Sequence, residues 1–222
     1  MEKFCKTYYA DFSAFIENED LTLSRMGEVD EGRRARIERA RYAHTKAELL
    51  AGGLIVKAAL SDAFGITDFK TEKNEFGKPY LVSHPDVFFN VSHSGTCVIC
   101  TVSDVECGVD IEDAGAPHEI MAMAQRFMST LEMNAMMMSE DPNRAFCRLW
   151  TLRESYVKMR GRGFDIGLST LRCDFHRGKA SILENNVVQT DAHFHELRGI
   201  PGYVASVCTK EERDNTVKKL VL

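Results

Sequence analysis

With 222 residues, the chain has room for one large domain or two smaller ones of about 100 residues. Its 44% hydrophobic and 27% charged content is that of a globular protein, and no apolar run approaches the roughly 20 residues that cross a bilayer. A net charge of −5 argues against a general nucleic-acid binder, which carries a basic surplus, yet leaves room for a local basic pocket. Met1 to Phe12 lacks a basic stretch followed by an apolar core, so no secretory signal is expected. Seven scattered cysteines, an odd number, fit a reducing cytoplasm better than a disulfide framework.

In chain order, residues 4 to 16 alternate loosely and predict a first strand. Glu31 to Phe64 has helical spacing, with Gly52 and Gly53 as its loose point, so one interrupted helix or two are expected. Asn74 to Pro79 is a turn by composition. Three β-branched runs follow, Val87 to Val91, Thr96 to Val102 and Cys107 to Glu112, and read as a meander. Ala114 to Pro117 breaks the chain. Glu119 to Ser139 predicts a methionine-rich helix, and Asp141-Pro142-Asn143 caps another running to about Met159. Strands are expected around Ile182, Phe194 and Tyr203 to Val207. This order suggests two α+β halves meeting near residues 105 to 118, although no sequence repeat relates them.

Three segments carry chemistry. In Gly108-Val109-Asp110-Ile111-Glu112, strand alternation puts Asp110 and Glu112 on one face, about 7 Å apart, and Val109 and Ile111 on the other. Two carboxylates on a rigid strand suit a hard divalent cation; they equally suit the solvated face of an edge strand. In Trp150 to Lys158, Glu154 and Lys158 are one helical turn apart, as in a catalytic pair or an ordinary surface ion pair. Phe89 to Gly95 ends a strand in Ser92-His93-Ser94, which suits phosphate or base recognition. No G-x-S-x-G elbow surrounds Ser92, which argues against a hydrolase triad. Cys97 and Cys100 have CxxC spacing without a second pair and read as packing, and His193 and His195 share a strand face that suits a metal but lack an evident third ligand. The methionines between Met121 and Met138 read as core filler or as a pliable docking face.

Taken in order, Gly77-Lys78-Pro79, Phe89 to Ser94, Gly108 to Glu112 and Trp150 to Lys158 resemble the motifs of the 4'-phosphopantetheinyl transferase superfamily, surfactin-synthetase-activating type. Weaker matches fall at Arg126 to Glu132 and Gly202 to Val207, so the resemblance spans about residues 30 to 208. It implies an α+β chain of two similar halves related by a pseudo-twofold, residues 1–107 and 108–222, with the active site in the cleft between them. It also implies transfer of phosphopantetheine from coenzyme A to a serine of an acyl or peptidyl carrier protein, by a cytoplasmic monomer that binds neither nucleic acid nor membrane. By motif position, Asp110, Glu112 and Glu154 would hold magnesium or manganese. Glu154, Lys158 and Asp110 would be catalytic, and Lys78, Ser92, His93, Arg41, Lys46 and Arg153 would bind coenzyme A. Arg153 stands where the family has lysine, which keeps the charge but presents a planar fork. Two rival readings are another magnesium-dependent enzyme of nucleotide pyrophosphates and an inactive module that binds coenzyme A or a carrier.

Overall fold

A computed structural model describes residues 4–116 and 119–222. The first half opens on β1 (Cys5–Asp11), followed by the short helices α1 (Ser13–Glu17) and α2 (Glu19–Ser24). Next come α3 (Glu31–Arg39) and the long α4 (Ala43–Phe64). A small hairpin, β2 (Thr71–Lys73) and β3 (Pro79–Leu81), leads to β4 (Phe88–Ser94) and β5 (Cys97–Ser103). The second half begins with β6 (Cys107–Asp113), then α5 (Ile120–Phe127), α6 (Thr130–Met137) and the long α7 (Pro142–Arg160). A second small sheet, β7 (Leu171–His176), β8 (Lys179–Glu184) and β9 (Val187–Val188), precedes β10 (His193–Leu197), β11 (Tyr203–Thr209) and β12 (Asn215–Lys219).

The two halves repeat one topology. In each, the opening strand pairs antiparallel with a later strand, and the strand just before that one in the chain lies beyond it. This gives the orders β1-β5-β4 and β6-β11-β10. A long helix backs each sheet: α4 lies on β5 and α7 on β6 and β11. β12 then extends the first sheet by pairing in parallel with β1. The α+β architecture of two similar halves is thus present, although the sequence shows no repeat.

β5 is buried along its whole length because it has two covered faces. Val98, Cys100 and Val102 pack toward α4, while Cys97 and Ile99 join Val109, Ile111 and Val207 between the two sheets. Its continuous apolar run reflects this double burial.

Three sequence expectations change, and a fourth falls partly outside the described residues. The helical stretch from Glu31 breaks at residues 40–42, not at Gly52-Gly53. Those glycines are interior to α4 because α3 lies against them; a Cβ on Gly53 would come within 2.5 Å of Val29 and 2.7 Å of Arg33. The expected methionine-rich helix is two helices, parted at Ser129, whose side chain and that of Glu132 form a capping box. The three β-branched runs are not a meander, since β6 leaves β5 and pairs with β11. The chain break expected at Ala114 to Pro117 falls partly outside the described residues, at Pro117.

The methionines divide between core and surface. Met128 and Met136 are buried against Phe146 and Leu149, and Met123 and Met133 pack on that cluster. Met121 and Met137 are exposed, and Met138 is 87% exposed. Among the described residues no helix is long and apolar enough to cross a membrane.

Candidate active site

β4 and β6 are the facing edges of the two sheets, and no backbone ladder joins them. Side chains from alternate positions of β4 make the seam instead. Asn90 Oδ1 accepts the Val109 N–H at 2.9 Å, and Ser94 Oγ accepts the Asp113 N–H at 3.0 Å. Between them Ser92 Oγ donates to Asp110 Oδ1 at 2.8 Å, and Ser94 Oγ also donates to Glu112 Oε2 at 3.2 Å. Hydroxyls and an amide on one face of β4 therefore take the place of main-chain partners that two edge strands lack.

Asp110 and Glu112 share a face of β6, and Val109 and Ile111 enter the core on the other, as strand alternation requires. Asp110 is only 4% exposed. Lys158 of α7 reaches it with Nζ 2.6 Å from Oδ1 and donates also to Ser92 Oγ at 2.9 Å. Oδ2 of Asp110 is buried with no hydrogen-bond partner. An unpaired carboxylate oxygen in the interior is costly, by about 1–3 kcal/mol for a neutral polar group and more for a charged one. Glu154, one turn before Lys158, is pushed above the usual carboxylate range by burial and by the Asp110 charge, with Lys158 opposing.

These features fit a hard cation. The lone oxygen of Asp110 lacks a partner, and Glu154 bears a charge that its surroundings disfavour. Among the described residues no group of three or more His, Cys, Asp and Glu side chains is placed to hold a metal ion by itself. Magnesium does not require one, since it commonly takes one or two protein carboxylates and completes its shell with phosphate oxygens and water.

The raised Glu154 carboxyl has a consequence for stability. Its proton is held more tightly in the folded than in the unfolded state, so stability falls as pH rises through the folded value. At neutral pH the ionised side chain is therefore a cost. Glu154→Gln is expected to raise the melting temperature of the ligand-free protein at pH 7.5, by about 2 °C, while losing activity. The gain should vanish near pH 4. A scan by calorimetry at the two pH values checks it.

The other expected residues separate. Ser92 is in the cluster, and His93 beside it is 3.1 Å from Glu48 Oε1. Burial draws His93 below its ordinary pKa, with the Glu48 charge opposing. Lys78 turns its charge to the main chain. Its ammonium donates to the carbonyls of Met159 at 2.8 Å and Cys107 at 3.1 Å, which satisfies an orphan carbonyl in the last turn of α7. Burial holds its pKa down. It lines, with Phe76, Pro79, Glu154, Lys158 and Ile166, a cavity of about 230 Å³. Lys46 is paired with Glu19 at 2.5 Å, and Arg41 is exposed ahead of α4; neither joins the Asp110 cluster.

Arg153 is the clearest departure. It is 0% exposed and points away from the cleft, with Nη2 2.5 Å from Glu132 Oε1. Nη1 donates to the Leu149 carbonyl and Nη2 to that of Leu171. Burial alone would raise Glu132, but Arg153 and the amides of Cys173 and Ser129 outweigh it and hold the carboxyl below its usual range. The guanidinium fork joins α7 to α6 and β7, so it is a structural bolt. Arg153→Ala is expected to destabilise the fold by about 3–5 kcal/mol by leaving Glu132 buried and unpaired. The folded fraction, measured at low temperature by calorimetric titration, should bind coenzyme A within about twofold of wild type.

Sequence reasoning placed Asn90 and Ser94 in the Phe89 to Gly95 segment without their seam contacts, and missed Glu48 altogether. The period-two run Asn90, Ser92, Ser94 was a usable signal; nothing near Glu48 marked it.

Residues 106–214 match the family model of the 4'-phosphopantetheinyl transferase superfamily. The chain is 28% identical over 163 residues to the 4'-phosphopantetheinyl transferase Sfp of Bacillus subtilis (strain 168), covering 72% of each. It is 29% identical over 187 residues to the 4'-phosphopantetheinyl transferase psf-1 of Bacillus pumilus, covering 81% of this chain and 78% of the relative. Among solved structures it is similar to the holo-[acyl-carrier-protein] synthase of Thermotoga maritima, with TM-score 0.39 and 18% identity, over 49% of this chain and 64% of that one. The chain belongs to the 4'-phosphopantetheinyl transferase superfamily. Within it, the chain is an enzyme with relatives of the Sfp type.

Proposed function

We propose that this enzyme transfers the phosphopantetheine arm of coenzyme A to a serine of an acyl or peptidyl carrier protein. The observation that carries the reading is the Asp110 cluster at the seam of the two halves: a buried carboxylate, one oxygen held by Lys158 and Ser92 and the other unpaired. Asp110, Glu112 and Glu154 would hold magnesium or manganese, which supplies charge neutralisation at the diphosphate.

The carrier serine oxygen forms a bond to the β-phosphorus of coenzyme A. The bond from that phosphorus to the bridging oxygen breaks, and its electron pair leaves with 3',5'-ADP. Glu154 takes the serine proton directly or through water. Lys158 turns from Asp110 and Ser92 toward the phosphate and donates to the leaving oxygen. Positioning and charge dominate such a reaction, because little covalent chemistry falls to the protein. Ser92 and His93 meet the nucleotide end. Met121, Leu131, Met137 and Met138, exposed on and beside α5 and α6, offer apolar surface for the carrier.

A cytoplasmic monomer completes the proposal, supported by seven cysteines that are all free. Incubation with coenzyme A, magnesium and an apo carrier tests the function. The expected result is a carrier mass gain of one phosphopantetheine. Release of the nucleotide bisphosphate without that gain would mean a hydrolase.

A further inference from the structure

Glu48 belongs to none of the motifs above, yet it touches the site. It lies on α4, and His93 follows Ser92 on β4, within electrostatic reach of Lys158 and Asp110. Glu48 Oε1 is 3.1 Å from His93 Nε2. Its other oxygen is 3.7 Å from His44 Nδ1, one helical turn back. His44 Nε2 in turn lies 3.3 Å from the carbonyl of Gly95, in the turn that follows β4. Glu48 thus ties the start of α4 to the end of the strand that carries Ser92.

A carboxylate oxygen 3.1 Å away repels the lone pair of a bare ring nitrogen and attracts an N–H, so the imidazole nitrogen facing it carries the hydrogen. With Nε2–H turned to Glu48, the nitrogen left for a ligand is Nδ1. The partner of one ring nitrogen sets what the other can do. We infer that Glu48 is a positioning residue for coenzyme A, fixing the His93 ring in its Nε2–H form so that Nδ1 meets the nucleotide end. This rests on the transferase reading above. The ring would otherwise rotate and exchange tautomers, and part of the affinity for coenzyme A would go to ordering it.

The test compares wild type, Glu48→Ala and Glu48→Gln by transfer kinetics and by long-range 1H–15N spectra of the histidine rings. Wild type is expected to show His93 as Nε2–H. Glu48→Ala should mix the tautomers and raise the KM for coenzyme A about tenfold, with a smaller fall in kcat. Glu48→Gln, whose amide oxygen still presents negative partial charge to Nε2–H, should keep the tautomer and stay within about threefold of the wild-type KM. A KM in Glu48→Ala within about twofold of wild type, an Nδ1–H ring in wild type, or Glu48→Gln behaving like Glu48→Ala would overturn the inference. Failure to bind coenzyme A at all would instead remove the transferase reading, while the spectra would still report whether Glu48 fixes the ring.

Discussion

Replacing Asp110 by alanine is expected to lower kcat/KM by about 10³-fold or more, the scale on which preorganised charge acts in a transition state. The loss should come without unfolding. Asp110 brings a favourable pair with Lys158 and a bond from Ser92, but also a buried oxygen with no partner, and the two nearly offset in the ligand-free fold. The melting temperature should therefore stay within about 4 °C of wild type. Asp110→Asn separates shape from charge, since it keeps the side-chain volume and the acceptor for Ser92 and Lys158 while removing the anion. It should be as inactive as the alanine variant. Turnover within tenfold of wild type in Asp110→Asn, assayed with saturating magnesium, would mean that the carboxylate charge is not what the reaction uses.

Much of this site was legible because it follows from short-range geometry. Strand periodicity alone places Asp110 and Glu112 opposite Val109 and Ile111, and the structure agrees. Asp141 and Pro142 mark where α7 begins, and the i,i+4 spacing of Glu154 and Lys158 fixes their common face. What failed depended on partners distant in the chain. β6 pairs with β11, Ile111 opposite Ala205, and nothing local distinguishes that from a third strand of a meander. The repeat of β1-β5-β4 as β6-β11-β10 exists in connectivity, where unrelated residues fill equivalent places. Arg153 read as a phosphate contact because a helix charge one position from Glu154 gives no hint that Glu132 waits behind it. The Lys78 contacts were hidden for the same reason: its motif predicts a neighbourhood, and the carbonyls of Met159 and Cys107 that it meets come from distant elements.

Gly108 is where fold and chemistry meet most closely, and Gly108→Ala is expected to cost both. A Cβ there would fall 2.1 Å from the Ser155 carbonyl oxygen and 2.3 Å from the Met159 nitrogen. Both are backbone atoms of α7, so no side chain can rotate to make room. The helix must retreat by about 1 Å, at a cost of about 3 kcal/mol from overpacking. It carries Glu154 and Lys158, and Lys158 holds Asp110 at 2.6 Å. A displacement of that size between reacting groups costs about 10²-fold in rate. Gly53→Ala supplies the comparison, because its Cβ meets Val29 and Arg33 on the far side of α4. That variant should also lose stability, but its folded fraction should turn over at close to the wild-type kcat. Measured together at a temperature where both remain folded, equal kcat values for the two variants would show that α7 need not sit where Gly108 lets it sit.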